Sequence, residues 1–187
     1  MRSLLPKINN YKTDLLERGI ELSLLSEVWE AKGKEKFMSE ASKMLEINGL
    51  KYISTPRALN KRGGGCAIVA NMTKFSLEKI EVPIPKNLEA VYGILRPKVP
   101  SSNFKVVIAV TFYSPPKSRQ KAHLLDHIVT TCQSLLSKYP DAGIVIVGDR
   151  NEMSISSLID ALPKVKQIVA KPTCNGKVLD ALITVKY

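Results

Sequence analysis

Four consecutive β-branched apolar residues, Ile144-Val145-Ile146-Val147, constrain this chain more than any other stretch. A strand with one wet face alternates apolar and polar side chains, whereas an unbroken apolar run suits a strand covered on both faces. Similar runs lie at Ile20–Ser26, Cys66–Ala70, Ala90–Leu95, Val106–Phe112, Gln167–Ala170 and Val178–Thr184. Helical spacing falls between them, in Leu4, Leu5, Ile8, Tyr11, Leu15 and Leu16, and again in Phe37, Ala41, Met44 and Leu45. A third set, Leu125, Ile128, Val129, Cys132, Leu135 and Leu136, predicts a helix over Gln120–Lys138 that stops before Asp141-Ala142-Gly143. Ser154 is a good N-cap for a short helix running to Leu162, ahead of Pro163. Packed sheets with helices over their outer faces give a layered α/β sandwich. A doubly wound nucleotide fold shares the early helix–strand alternation. Against it, the segment 64–113 reads as three successive strands without a helix, which calls for antiparallel pairing.

The length, 187 residues, suits one domain with a sizeable core, and no repeat or linker-like break divides it. The expectation is a single domain over 1–187. Hydrophobic residues make up 44% and charged residues 24%, ordinary for a globular protein. No apolar run approaches the ~20 residues that span a bilayer, and the start is too short in apolar residues for a secretory signal. An intracellular protein, nuclear or cytoplasmic, is expected, with no membrane partner. Cys66, Cys132 and Cys174 are odd in number, far apart and form no Cys-x-x-Cys pair, so they predict buried thiols rather than a zinc site or disulfide framework. The net charge of +11, from 28 Lys and Arg against 17 Asp and Glu, favours polyanionic partners, because cations that neutralise phosphates release condensed counterions.

The run at 144–147 leads into Gly148-Asp149-Arg150-Asn151. Read as a glycine turn closing a buried strand, it presents a carboxylate and a carboxamide two residues apart, and β geometry points such residues the same way. An ordinary Gly-Asp turn with Asn151 as a local cap would leave the same pattern. Glu27, in Leu24-Leu25-Ser26-Glu27-Val28-Trp29, closes a second apolar strand, where a carboxylate can hold a hard divalent cation or merely meet solvent. Tyr113, in Val110-Thr111-Phe112-Tyr113-Ser114-Pro115-Pro116, stands at a strand end before a proline-fixed turn. There it is either a site residue or a rim aromatic packed on the prolines. Asp180, in Val178-Leu179-Asp180-Ala181-Leu182-Ile183-Thr184, sits in an apolar strand and follows Lys171-Pro172-Thr173. An isolated aspartate inside such a strand is costly unless bonded or paired. His123 and His127, four apart, are expected as neighbours on the helix surface, with no evident third ligand for zinc.

The order Ser-Glu-x-Trp, Arg62-Gly63-Gly64-Gly65-Cys66-Ala67-Ile68, Tyr-x-Pro-Pro, Gly-Asp-x-Asn and Pro-Thr…Leu-Asp resembles the endonuclease domain of non-LTR retrotransposons, a branch of the exonuclease–endonuclease–phosphatase superfamily. The resemblance covers nearly the whole chain. It implies a deoxyribonuclease-like, four-layer α/β (α+β) sandwich of two mixed β-sheets flanked by helices. It also implies a Mg²⁺- (or Mn²⁺-) dependent DNA endonuclease that nicks a target to prime reverse transcription, in a polyprotein with a reverse transcriptase. Glu27 matches the metal-binding carboxylate, and Tyr113 the tyrosine that contacts the scissile phosphate. Asp149 matches the aspartate that orients or deprotonates water, and Asn151 the asparagine that bonds a phosphate oxygen and supports it. Asp180 matches the aspartate that orients a catalytic histidine. Arg62, Lys117, Arg119 and Lys171 are the basic residues expected to contact DNA phosphates, with Arg57, Lys61, Lys121, Lys164, Lys166 and Lys177 nearby in sequence.

The pattern departs from the family in three places. Arg2-Ser3-Leu4 follows Met1 directly, without the usual preceding strand and its metal-site asparagine. No Ser-Asp-His follows the Asp180 strand, and Arg150 stands where the family carries a bulky apolar residue. The expectation is therefore a domain incomplete at both ends, lacking edge or terminal strands, with weakened or absent nuclease activity. A non-catalytic nucleic-acid-binding or interaction domain and a small-molecule phosphatase of the same superfamily are the alternatives.

Overall fold

The structure is a computed structural model describing residues 7–28, 35–57, 64–99, 104–162, 164–169, 171–172 and 180–185, with backbone alone for 35–39 and 185. In chain order the elements are α1 (Ile8–Glu17), β1 (Leu22–Ser26), α2 (Glu35–Glu46), β2 (Leu50–Thr55), β3 (Cys66–Asn71), β4 (Phe75–Lys79), β5 (Glu89–Pro97) and β6 (Val107–Tyr113). They continue with α3 (Lys121–Lys138), β7 (Gly143–Asp149), α4 (Ser156–Ala161), β8 (Val165–Gln167) and β9 (Asp180–Val185). Two sheets result. One is three-stranded, in the order β1-β3-β2, and antiparallel throughout. The other is six-stranded, in the order β4-β5-β6-β7-β9-β8, and its one parallel pair, β6–β7, makes it mixed.

The unbroken apolar runs are explained by what lies on each side of them. Along β3, Ala67 and Val69 face a cluster with Ile8 and Leu15 of α1 and Ala41 and Leu45 of α2. The alternate residues Cys66, Ile68 and Ala70 face Val91, Leu95, Ala109 and Tyr113 of the larger sheet. Along β6, Ile108, Val110 and Phe112 pack outward onto Leu124, Ile128 and Cys132 of α3 and Leu158 of α4. The layers are therefore helix, sheet, sheet, helix, and a residue on either side of these strands meets apolar matter. The Thr111 hydroxyl donates to the Leu25 carbonyl at 3.3 Å and fastens the two sheets near the strand ends.

Several expectations shift. The segment 64–113 holds four strands, because β4 pairs with β5 beside the three read from the sequence. Neither β4 nor β2 carries a long β-branched run, and pairing with a stronger neighbour forms them. The strand expected at Gln167–Ala170 lies earlier, at Val165–Gln167. Helix α4 begins at Ser156 with Ile155 in the cap position, so Ser154 does not cap it as predicted. The Ser154 hydroxyl reaches the Ser156 amide at only 3.5 Å. Cys66 and Cys132 are buried thiols as expected, while Cys174 lies outside the described residues.

Candidate active site

Register alone brings four side chains into one line across the larger sheet. Glu89 stands opposite Tyr113, Tyr113 beside Asp149, and Asp149 opposite Asp180. Residues paired across strands share a face, and Tyr113 belongs to the cluster between the sheets. The row therefore borders the cleft where the two sheets meet. From the facing sheet, Glu27 follows β1 directly and turns toward the row with φ 57°, a left-handed backbone unusual for a non-glycine residue. Its carboxylate faces the Tyr113 hydroxyl.

Gly148 is not the turn the sequence suggested. It lies within β7, and a Cβ there would sit 2.5 Å from the Phe112 carbonyl oxygen and 2.6 Å from the Phe112 ring. The glycine is needed so that β7 can run flush beside β6 under that ring, which carries Asp149 to the level of Tyr113. Asn151 is not placed by β alternation either, since β7 ends at Asp149 and Asn151 takes φ 48°. A tight turn folds it back instead. Its amide donates to Asp149 Oδ1 at 3.0 Å, and its Nδ2 donates to the Ser114 carbonyl at 2.7 Å. The Ser114 amide in turn donates to the Asp149 carbonyl at 2.9 Å, so the ends of β6 and β7 are locked together around Asp149. Both local bonding and convergence on Asp149 hold for Asn151.

The other predicted residues divide. Tyr113 is buried rather than a rim aromatic, because the second sheet covers it. Asp180 is exposed at the first position of β9, so the burial cost argued from sequence does not apply to it. Lys117, with φ 56°, and Arg119 are exposed on the turn between β6 and α3, and Lys171 is exposed between β8 and β9. Arg62, Lys61 and Lys177 lie outside the described residues. Arg150 is held in part by its Nη1, which donates to the Met153 carbonyl at 2.7 Å across the loop that follows β7, while its Nε is buried without a hydrogen-bond partner among the described residues. His127 does neighbour His123 on α3, the two lining one shallow cavity with Gln120 and Thr130, but it is not fully at the surface. It is half-buried, its ring edge-on to Tyr92 with centroids 5.8 Å apart, and burial holds its pKa below the usual value.

Sequence reasoning misses Glu89 and misassigns Arg57. By position Arg57 is a basic flank of the glycine loop. In the structure its Nε lies 2.8 Å from Glu89 Oε1, with only 11% and 5% of the two side chains exposed. The available signal was Glu89 opening an apolar strand, the mirror of Glu27 closing one.

The electrostatics of the row are one-sided. Burial raises the Asp149 pKa above 3.8, and the charges of Asp180 and Glu27 raise it further, against the bonds from Asn151. Burial likewise raises Glu89 above 4.5, with Gly65 and Arg57 opposing and Glu27 adding to the rise. Tyr113 is pushed up by burial first and then by Glu27 and Asp149, so it stays protonated at neutral pH. Excess negative charge thus gathers at one end of the cleft, with Arg57 the buried cation beside it.

Two sheets packed face to face with helices outside give a deoxyribonuclease-like fold, shared with solved structures that include an endonuclease/exonuclease/phosphatase family protein from Bacteroides thetaiotaomicron. Among solved structures the chain is similar to the human Nocturnin catalytic domain with bound sulfate, at TM-score 0.70 and 11% identity over 97% of this chain and 74% of that one. It is similar to ANGEL2, a 2′,3′-cyclic phosphatase, at 0.69 and 13% over 95% and 72%. D. rerio TDP2 complexed with a single-strand DNA product matches at 0.60 and 11% over 98% and 78%. At such identities the likeness is one of fold. No protein-family model and no curated protein matches the sequence.

Proposed function

We propose that this chain is a divalent-cation-dependent phosphodiesterase acting on DNA, akin to the nicking endonucleases of non-LTR retrotransposons. The observation that carries this reading is the row Glu89–Tyr113–Asp149–Asp180 with Glu27 turned onto it from the opposite sheet. Among the described residues no three His, Cys, Asp or Glu groups are gathered closely enough to form a metal cage. The chemistry of the site suits Mg²⁺ or Mn²⁺ all the same, since Mg²⁺ keeps several waters and needs one or two carboxylates plus the substrate's phosphate. The mutual repulsion among Glu27, Asp149 and Asp180 is the charge imbalance that such a cation relieves. Glu27 would hold it, and bound there it would stabilise charge developing on the phosphate.

The chain's own groups have separable tasks. Tyr113, kept protonated, serves as a hydroxyl donor to a phosphate oxygen. Asp149, with a raised proton affinity, is a better acceptor for a proton from water than an ordinary aspartate. The Asn151 amide aims it. Asp180 has no histidine beside it among the described residues, and the chain's two histidines both lie on α3. Its task here is to raise the proton affinity of Asp149. The net charge of +11 and the exposed Lys117, Arg119 and Lys171 favour a polyanionic strand as substrate. Origin within a larger polyprotein containing a reverse transcriptase, acting in the nucleus or cytoplasm, belongs to the same reading.

The test is nicking of supercoiled plasmid with Mg²⁺ or with chelator, beside Glu27→Ala and Asp149→Ala. Metal-dependent nicking lost in both variants supports the proposal. Salt-sensitive DNA binding without nicking, by a folded chain, would assign it instead as a non-catalytic binding domain. Turnover confined to small phosphate esters would make it a phosphatase.

A further inference from the structure

Glu27 must hold a left-handed backbone, and such conformations persist only where neighbours over-determine them. Two residues do so here. On one side Ser26 pairs with Cys66 in the β1–β3 ladder. On the other the Val28 amide donates to the Gly65 carbonyl at 3.2 Å. Both clamping residues, Gly65 and Cys66, are tied to Glu89 of the other sheet. The Gly65 amide donates to Glu89 Oε2 at 2.7 Å, and the Cys66 thiol donates to the Glu89 carbonyl at 3.7 Å. Arg57 holds the second carboxylate oxygen. Gly64 leaves the room this needs, since a Cβ there would collide with the Glu89 carboxylate.

We propose that Glu89 is a positioning residue for Glu27, acting through the main chain of Gly65 and Val28, with Arg57 as its counter-ion. This deepens the reading above and rests on Glu27 binding the cation. A buried ion pair that merely braced the sheets could be replaced by apolar side chains of matched volume without consequence for the site. A positioning carboxylate could not, because Gly65 needs an acceptor. The difference lies in one oxygen atom.

Two double variants isolate that atom. Arg57→Met/Glu89→Leu removes both charges and the acceptor, while Arg57→Met/Glu89→Gln removes the charges and keeps a carbonyl oxygen for the Gly65 amide. Mn²⁺ affinity is read by electron paramagnetic resonance of the free ion, with Glu27→Ala as the reference for a missing ligand. The leucine variant should bind ~10- to 100-fold more weakly than the wild type, as when an orienting partner of a ligand is removed. The glutamine variant should stay close to wild type. Equal affinity in the two doubles, both giving cooperative melts, overturns the proposal. A second readout needs no metal. Amide hydrogen exchange at Gly65 and Val28 should be slow in the wild type and faster at both in the leucine variant. Unprotected Val28 in the wild type, or unchanged exchange in the variant, refutes the relay. Should Glu27→Ala bind Mn²⁺ as the wild type does, the cation reading fails by itself, and the exchange data still decide whether Glu89 positions the segment.

Discussion

Gly148→Ala tests the packing that levels Asp149 with Tyr113. The added Cβ would lie 2.5 Å from the Phe112 carbonyl oxygen and 2.6–2.7 Å from two atoms of its ring. The ring is fully buried and wedged against α3 and α4, and the carbonyl is backbone, so neither can give way cheaply. Overpacking of this sort costs ~1–3 kcal/mol, and a backbone obstacle puts it at the upper end. Against that, alanine stiffens the unfolded chain and contributes ~0.4–1 kcal/mol of stability where the native backbone accepts it. Gly148 has no positive φ, so backbone strain adds nothing to the balance. The net is a loss of ~2 kcal/mol, or ~4–8 °C in melting temperature for a chain of this length. Gly19→Ala is the control, because nothing lies within 4 Å of its Cβ and its φ of 61° isolates the strain that Gly148 lacks. Melts followed by circular dichroism and calorimetry decide the matter. If Gly148→Ala melts at or above the wild-type temperature, the Phe112 contact does not dictate the glycine and this account of the Gly-Asp step is wrong.

Three further outcomes follow from the same geometry. Asp149 and Glu89 both have pKa values raised in the fold, so the stability they contribute is complete below the ordinary carboxylate values near 4 and is lost as pH rises through their raised values. In chelator, the melting temperature of Asp149→Asn should therefore gain on the wild type as pH climbs from about 4 to 7, and a gap constant with pH would contradict the sign. Replacing Lys117, Arg119 and Lys171 together by alanine should flatten the logarithmic salt dependence of duplex DNA binding by up to about 2.7, at ~0.9 for each phosphate no longer neutralised; an unchanged slope removes these residues from the interface. Burial pushes the Cys132 thiol up to about 12 and the Cys66 thiol well above its usual value. Mapping by mass spectrometry should find both unlabelled by iodoacetamide at pH 8 until the chain is denatured, and rapid native labelling of either would show that the packing around α3 or between the sheets is looser than described.

What could be seen in the sequence and what could not differ by a physical cause. Continuous runs such as Cys66–Ala70 and Ile144–Val147 were legible because burial on both faces leaves no polar position to confuse the period. β4 was not, since Phe75-Ser76-Leu77-Glu78-Lys79 is an edge strand with one partner in which Leu77 alone is fully buried. Glu27, Tyr113 and Asp149 were found by their place at strand ends, Asp180 by its place in an apolar run, and all four by family resemblance. Their alignment depends on register, which no local pattern announces. Asn151 was found for a mistaken geometric reason. A β spacing was expected, and a turn bonded to Asp149 delivers the same neighbourhood.

Glu89 and Arg57 were invisible for a deeper reason. Each reads as an ordinary solvated charge, and only the pairing of β5 with β6 and the arrival of the glycine loop put them together. A buried carboxylate whose oxygens are taken by one guanidinium and one amide carries little net charge, so it adds structure to the site without competing for a cation. Among the described residues, Glu27, Asp149 and Asp180 form no ion pair. That separation, one carboxylate paired to build and three facing the cleft without an ion-pair partner among the described residues, is a stronger statement about what the cleft can bind than the chain's overall charge of +11, which by itself would repel a cation rather than collect one.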